Sequence, residues 1–316
     1  MSSSLVTAAM DLGHRTHRAR DPAASRRITS DDASRCLLLA LSHDALGVIV
    51  DGLADPLQPV IAVALSSTCK GLRTSPVLER ARLILMQRYF RALALCETMV
   101  MSCDELSYAE VLEYGDGLDA DDLATLGMII RTSGLPRLQC LDLSRNCFGN
   151  AGLRELCKGL GCGAAPSLIT VDISYNSFCL TGAEALAAAL LGGAMPKLAK
   201  LCINDNHIGN QGIAALVAPL RKLPALKTLN LTNCEIGDEG VASLVDNLDK
   251  NEFKRLERIW LKDNLVTDAG CGMVVTAVRN GALPMIVRTN GIRLGGTNPA
   301  RDPAIRAVKD AIRGRA

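Results

Sequence analysis

Residues 138–148 read LQCLDLSRNCF, and the pattern returns as LITVDISYNSF at 168–178, LAKLCINDNHI at 198–208, LKTLNLTNCEI at 226–236 and LERIWLKDNLV at 256–266. Successive starts lie 30, 30, 28 and 30 residues apart. Within each copy, aliphatic and variable side chains alternate, as a short strand with one buried face requires. Asn146, Asn176, Asn206, Cys234 and Asn264 then stand where the chain leaves the strand. An amide at that point can satisfy backbone groups in its own turn and in the neighbouring one.

The register runs on past the strand. A glycine follows six residues later each time: Gly152, Gly182, Gly212, Gly240 and Gly270. Four residues further stand Leu156, Leu186, Leu216, Leu244 and Val274, and after another four Leu160, Leu190, Leu220, Leu248 and Val278. Such i, i+4 pairs describe the apolar stripe of a helix of about three turns. One strand–helix unit cannot bury its apolar side alone, so the copies must stack. The expected fold class is therefore α/β.

These columns resemble the ribonuclease-inhibitor-like class of leucine-rich repeats. The resemblance spans about residues 106–300. It implies a right-handed, horseshoe-shaped solenoid with an inner parallel β-sheet and outer α-helices, and it implies protein ligands. Repeats are expected over 105–300, with five clear copies from 138 to 281. AEVLEYGDGLDADDLATLGMIIRTSG at 109–134 looks like a degenerate opening repeat, with Leu123, Leu126 and Ile130 on its helix. RTNGIRLGGTNP at 288–299 loses the register; Ile292 and Leu294 are expected in a last strand, and 301–316 in a capping helix with a polar outer face.

Ahead of the repeats the composition changes twice. Residues 1–33 lack an apolar period and are expected to form a disordered tail. Residues 34–104 read as an all-α segment of short helices, and they resemble an F-box through Leu41-Ser42-His43-Asp44-Ala45-Leu46, Ile49, Leu53, Val60, Leu65 and Cys69–Arg73. That resemblance implies docking of a Skp-type adaptor by Leu41, Leu46, Ile49 and Leu53, although Ser42 stands where the family has proline. The other reading is a plain helical cap over the first repeat.

Composition narrows the function. With 35 basic and 33 acidic residues the net charge is +2, which gives no field that would favour nucleic acid or an anionic membrane. No apolar run reaches the 18 residues of a membrane span. The 12 cysteines contain no CxxC and read as small hydrophobes of a reducing compartment, the cytoplasm or alternatively the nucleus. The sequon at Asn230 falls inside a strand and reads as coincidence. His14, His17, His43 and His207 have no partner spacing that suggests a triad or metal site, and the glycine-rich pieces lack a phosphate-binding context. The chain is expected to be no enzyme and to need no cofactor or metal.

On the inner, concave sheet the variable positions form rows: Cys140, Thr170, Lys200, Thr228 and Arg258, beside Asp142, Asp172, Cys202, Asn230 and Trp260. Two further rows are Ser144, Ser174, Asn204, Thr232 and Lys262, and Arg145, Tyr175, Asp205, Asn233 and Asp263. Trp260 is the only tryptophan, and its register points it outward with Tyr175, Arg258 and Lys262 around it. Exposed tryptophan is enriched at dominant interface positions. The expected protein-binding face thus comprises Trp260, Tyr175, Arg258, Lys262, Asp142, Asp172, Asp205 and Asp263. Three functions fit: a protein-binding scaffold, a substrate receptor of a cullin-type ubiquitin ligase through the F-box-like segment, or a small-GTPase regulator similar to the Ran GTPase-activating protein.

Overall fold

The computed structural model describes residues 55–57, 76–161, 163–248, 252–286 and 290–314. The tail 1–33 and the adaptor residues Leu41, Leu46, Ile49 and Leu53 lie outside the described residues. A long helix, α1 (Pro76–Thr98), and a short one, α2 (Cys103–Tyr108), lead into the repeats. Ser102 begins α2 with a reciprocal cap: its hydroxyl accepts from Glu105 N while Glu105 accepts from Ser102 N. Leu57 is buried in the same core as the repeats, and the Asp55 carboxylate accepts the Ser133 hydroxyl.

Strands and helices then alternate strictly. The order is β1 (Val111–Glu113), α3 (Ala120–Thr132), β2 (Cys140–Asp142), α4 (Gly149–Leu160), β3 (Thr170–Asp172), α5 (Leu180–Leu191), β4 (Lys200–Cys202) and α6 (Gly209–Lys222). There follow β5 (Thr228–Asn230), α7 (Asp238–Val245), β6 (Arg258–Trp260), α8 (Asp268–Arg279), β7 (Ile292–Arg293) and α9 (Asp302–Arg313). Among the described residues all seven strands form one parallel sheet in sequence order. Each strand pairs only with its chain neighbours, so every crossover is the helix of one repeat.

Burial follows the columns. Leu141, Val171, Leu201, Leu229 and Ile259, the central residue of each strand from β2 to β6, are no more than 2% exposed. The helix positions Leu156, Leu186, Leu216, Leu244 and Val274 are equally covered. One continuous core runs from Leu57 to Ile312. Removing a single such leucine would cost about 2–5 kcal/mol. The stability of each repeat is therefore shared with its neighbours.

The asparagines form a buried ladder. Asn206 Oδ1 accepts from Asn176 N at 3.0 Å and Phe178 N at 3.3 Å, and its Nδ2 donates to Ile173 O at 3.0 Å and to its own repeat's Ile203 O at 3.1 Å. Asn264 repeats the arrangement on Cys234 N and Ile236 N, both at 2.9 Å. Cys234 replaces the amide with weaker sulfur contacts: its thiol lies 3.3 Å from Ile203 O and 3.4 Å from Thr232 O, and the Asn206 backbone also meets it. Burial pushes that thiol up to about 12.

A second ladder escaped the sequence reading. Four residues after each rung stand Asn150, Leu180, Asn210, Asp238 and Asp268. Asn150 Oδ1 accepts Cys179 N and Gly182 N, Asn210 Oδ1 accepts Gly237 N and Gly240 N, and Asp238 Oδ1 accepts Thr267 N and Gly270 N. Each polar member thus caps the N-terminus of the next repeat's helix. The glycine column has a steric cause as well. A Cβ on Gly152 would lie 2.6 Å from Phe148 Cβ, and one on Gly212 2.6 Å from Ile208 Cγ2.

Two expectations need correction. The i, i+4 spacing predicts Leu248 on the fourth repeat's helix, but α7 ends at Val245. There Arg221 of the preceding repeat takes the carbonyls of Ser243 at 2.7 Å and Asp246 at 2.9 Å, and Asn247 turns to a φ of 51°. The register was also expected to be lost after the fifth copy, yet Asn298 serves as a further rung. Its Oδ1 accepts Asn264 N at 3.1 Å and Val266 N at 2.9 Å. Between Leu294 and Asn298 the chain carries one more residue than other repeats have, and Gly295 (φ 129°) and Gly296 (φ 73°) absorb it.

Candidate protein-binding face

Strand register fixes which outward side chains adjoin. Glu113, Asp142, Asp172, Cys202, Asn230, Trp260 and Arg293 form one row across β1 to β7. Val111, Cys140, Thr170, Lys200, Thr228 and Arg258 form the other. Carboxylates gather on the first three strands, and the cations stand on β4 (Lys200), β6 (Arg258) and β7 (Arg293). Strands lie about 4.8 Å apart, so roughly 14 Å separates Asp172 from Trp260, beyond a Debye length of about 8 Å in physiological salt. The two ends therefore act as independent patches.

Trp260 occupies the cationic end. It is half-buried, because the Arg293 guanidinium carbon lies 4.5 Å from its ring centroid. Stacking of this kind contributes about 0.5–1 kcal/mol at exposed sites and more where water is excluded. The indole Nε1 is buried, and among the described residues it has no hydrogen-bond acceptor. Arg258 is exposed and donates to Thr228 Oγ1 at 3.4 Å, while Lys262 pairs with Asp263 at 3.3 Å. Asp263 itself accepts Thr297 N at 2.8 Å, and that bond first of all holds its carboxyl below the usual value. Arg293 went unrecognised as part of this cluster; the Ile292–Arg293–Leu294 alternation was the signal that could have found it.

Tyr175 does not join the Trp260 cluster, because it leaves β3 while Trp260 sits on β6. It belongs to a chain of contacts along the strand exits. Arg145 lies over its ring at 5.4 Å from the centroid, and a hydrogen bond with Asp205 pushes the phenol above its ordinary value. Asp205 also accepts from Asn204 Nδ2 at 2.7 Å and Asn233 Nδ2 at 2.8 Å. Arg145, Tyr175, Asp205, Asn233 and Asp263 all have φ between 51° and 60°. Asn and Asp tolerate this left-handed conformation; for other L-residues it costs about 1–2 kcal/mol.

Several outward residues are already engaged. Asp142 Oδ1 and Asp172 Oδ1 accept from Ser144 N and Ser174 N, each at 3.0 Å, which fixes the strand-exit turns. One oxygen of each carboxylate therefore has a local role. Thr228, Asn230, Cys202 and Ser174 are buried, so the middle of the face is less open than alternation alone implies. Asn230, the sequon asparagine, donates to Asn204 Oδ1 at 2.7 Å.

Reactive groups are sparse. Among the described residues no group of three or more His, Cys, Asp or Glu side chains could hold a metal ion. Burial pushes Cys96, Cys157 and Cys202 up to about 12. His207 Nδ1 lies 2.7 Å from Glu235 on the exposed surface. Among the described residues no helix is long and apolar enough to cross a membrane.

A family profile described as leucine-rich repeat matches residues 135–157 and 222–245. Those stretches contain β2 with most of α4, and β5 with α7. No curated protein matches the chain.

Proposed function

We propose that this leucine-rich-repeat chain is a non-catalytic scaffold that holds another protein against the open face of its sheet, anchored at Trp260. The buried indole N–H, without an acceptor among the described residues and covered by the exposed Arg293 side chain, supports the reading most strongly. An orphaned buried donor costs about 1–3 kcal/mol, and a partner's acceptor would recover part of it. Arg258 and Lys262 beside it favour an acidic contact, and aromatic–arginine clusters dominate interface energetics. Asp142 and Asp172 at the opposite end would orient the partner by charge.

The test is quantitative affinity purification with the full chain and with Trp260→Ala. Loss of the most enriched partners is expected, with thermal stability little changed. An unchanged partner set would remove Trp260 as the anchor. The adaptor-docking and GTPase-regulating alternatives draw on resemblance, and the same partner set addresses them: each requires a Skp-type adaptor or a small GTPase among the retained proteins.

A further inference from the structure

We infer that the free edge of β7, with the groove between it and α9, receives an extended acidic segment of a partner protein as the next strand of the sheet. β7 is the last strand in the order. It meets β6 through Gly291 O, which accepts Ile259 N at 2.7 Å, and Arg293 O, which accepts Leu261 N at 2.8 Å. Alternation of backbone groups along a strand turns those of Ile292 and Leu294 the other way. Among the described residues none pairs with the outward amides of Ile292 and Leu294. A terminal strand offers its outward groups for strand addition, here over the two residues of β7 and the adjoining Leu294.

A cavity of about 450 Å³ runs along that edge. Ile292, Leu294 and Ile305 of α9 give it an apolar floor, while Arg293 and Lys309 stand exposed on its rim. Lys262 also lines it, and Asp302 is the one carboxylate among its described lining residues. The apolar floor takes alternate side chains of an extended segment, and the basic rim selects acidic residues between them. The groove lies off the sheet's end rather than on its face, and Arg293 and Lys262 border both it and the Trp260 cluster, whereas Lys309 belongs to the groove alone.

Trp260, stacked beneath Arg293, is the only tryptophan in the chain and reports on the rim directly. Full-length protein is titrated with a short peptide alternating glutamate and valine, with its lysine counterpart, and with a version bearing proline at the central position. The acidic peptide should change the tryptophan emission saturably, and the other two should not. Lys309→Glu should weaken binding about tenfold and Lys309→Gln less, while Lys197→Glu on a distant turn leaves it unchanged. Equal binding of the lysine or proline peptide, absence of a saturable signal, or insensitivity to Lys309→Glu overturns the inference. A concentration-dependent self-association that Lys309→Glu dissolves also overturns it, by assigning the edge to a second copy of the chain.

Discussion

The side-chain oxygen of Asn206 accepts the backbone N–H of Asn176 at 3.0 Å, so the turn of one repeat is closed from inside the next. Asn206→Ala would leave the buried Asn176 N and Phe178 N without that acceptor and Ile173 O without its amide donor. A loss of about 2–4 kcal/mol is expected from unsatisfied buried groups, read as a lowered urea midpoint. Cys234→Asn should do the opposite and raise stability by about 1 kcal/mol, because an amide oxygen is a stronger acceptor than the sulfur that meets the Asn206 backbone in its place. A destabilised Cys234→Asn would mean the fourth turn has no room for an amide.

The helices of the first two repeats, α3 and α4, pack backbone against backbone. A Cβ on Gly159 of α4 would fall onto the Gly127 carbonyl oxygen of α3, and one on Gly127 onto Glu155 O. Because carbonyls, not flexible side chains, stand in the way, the helices themselves must separate. Gly159→Ala should cost about 1–3 kcal/mol by overpacking. Gly272→Ala, where nothing lies within 4 Å, should instead stabilise α8 by up to about 1 kcal/mol. Thermal unfolding of both variants checks the contrast.

The closing helix is held by a carboxylate. Asp268 Oδ1 accepts Arg301 N at 2.7 Å and its other oxygen pairs with the Arg301 guanidinium, so the carboxyl titrates below its ordinary 3.8. A depressed folded-state value means the contribution is complete above 3.8 and is lost as pH falls through the lower folded value. Amide protection of α9, corrected for intrinsic exchange, should therefore hold from neutral pH down to about 4 and decline below. Asp268→Asn should lower protection at neutral pH and flatten the profile. An unaltered profile would remove the carboxylate from this role.

The repeating scaffold was readable because it obeys one rule per column. Leu141, Val171 and their counterparts must be apolar to be buried, and Gly152 and its counterparts must lack a Cβ. Asn298 was missed because a fixed spacing fails when two glycines take up an extra residue. The Asn150 column was hidden by its mixed membership: amide, carboxylate and leucine stand at one position, and only their shared partners, the next helix's N–H groups, reveal it. Trp260 alternates with the buried Ile259 as its spacing implies, but its cover by Arg293 depends on a strand outside the five clear copies. Tyr175 was drawn to Trp260 on residue type alone, which carries no distance.

The fourth repeat combines the thiol rung at Cys234 with the eight-residue α7. In a stack where cohesion passes only between nearest neighbours, a tensile load is borne in series, and the least cohesive junction gives way first. Stretched between its ends, the molecule would part beside this repeat into two blocks, the larger keeping Tyr175 and the smaller keeping Trp260.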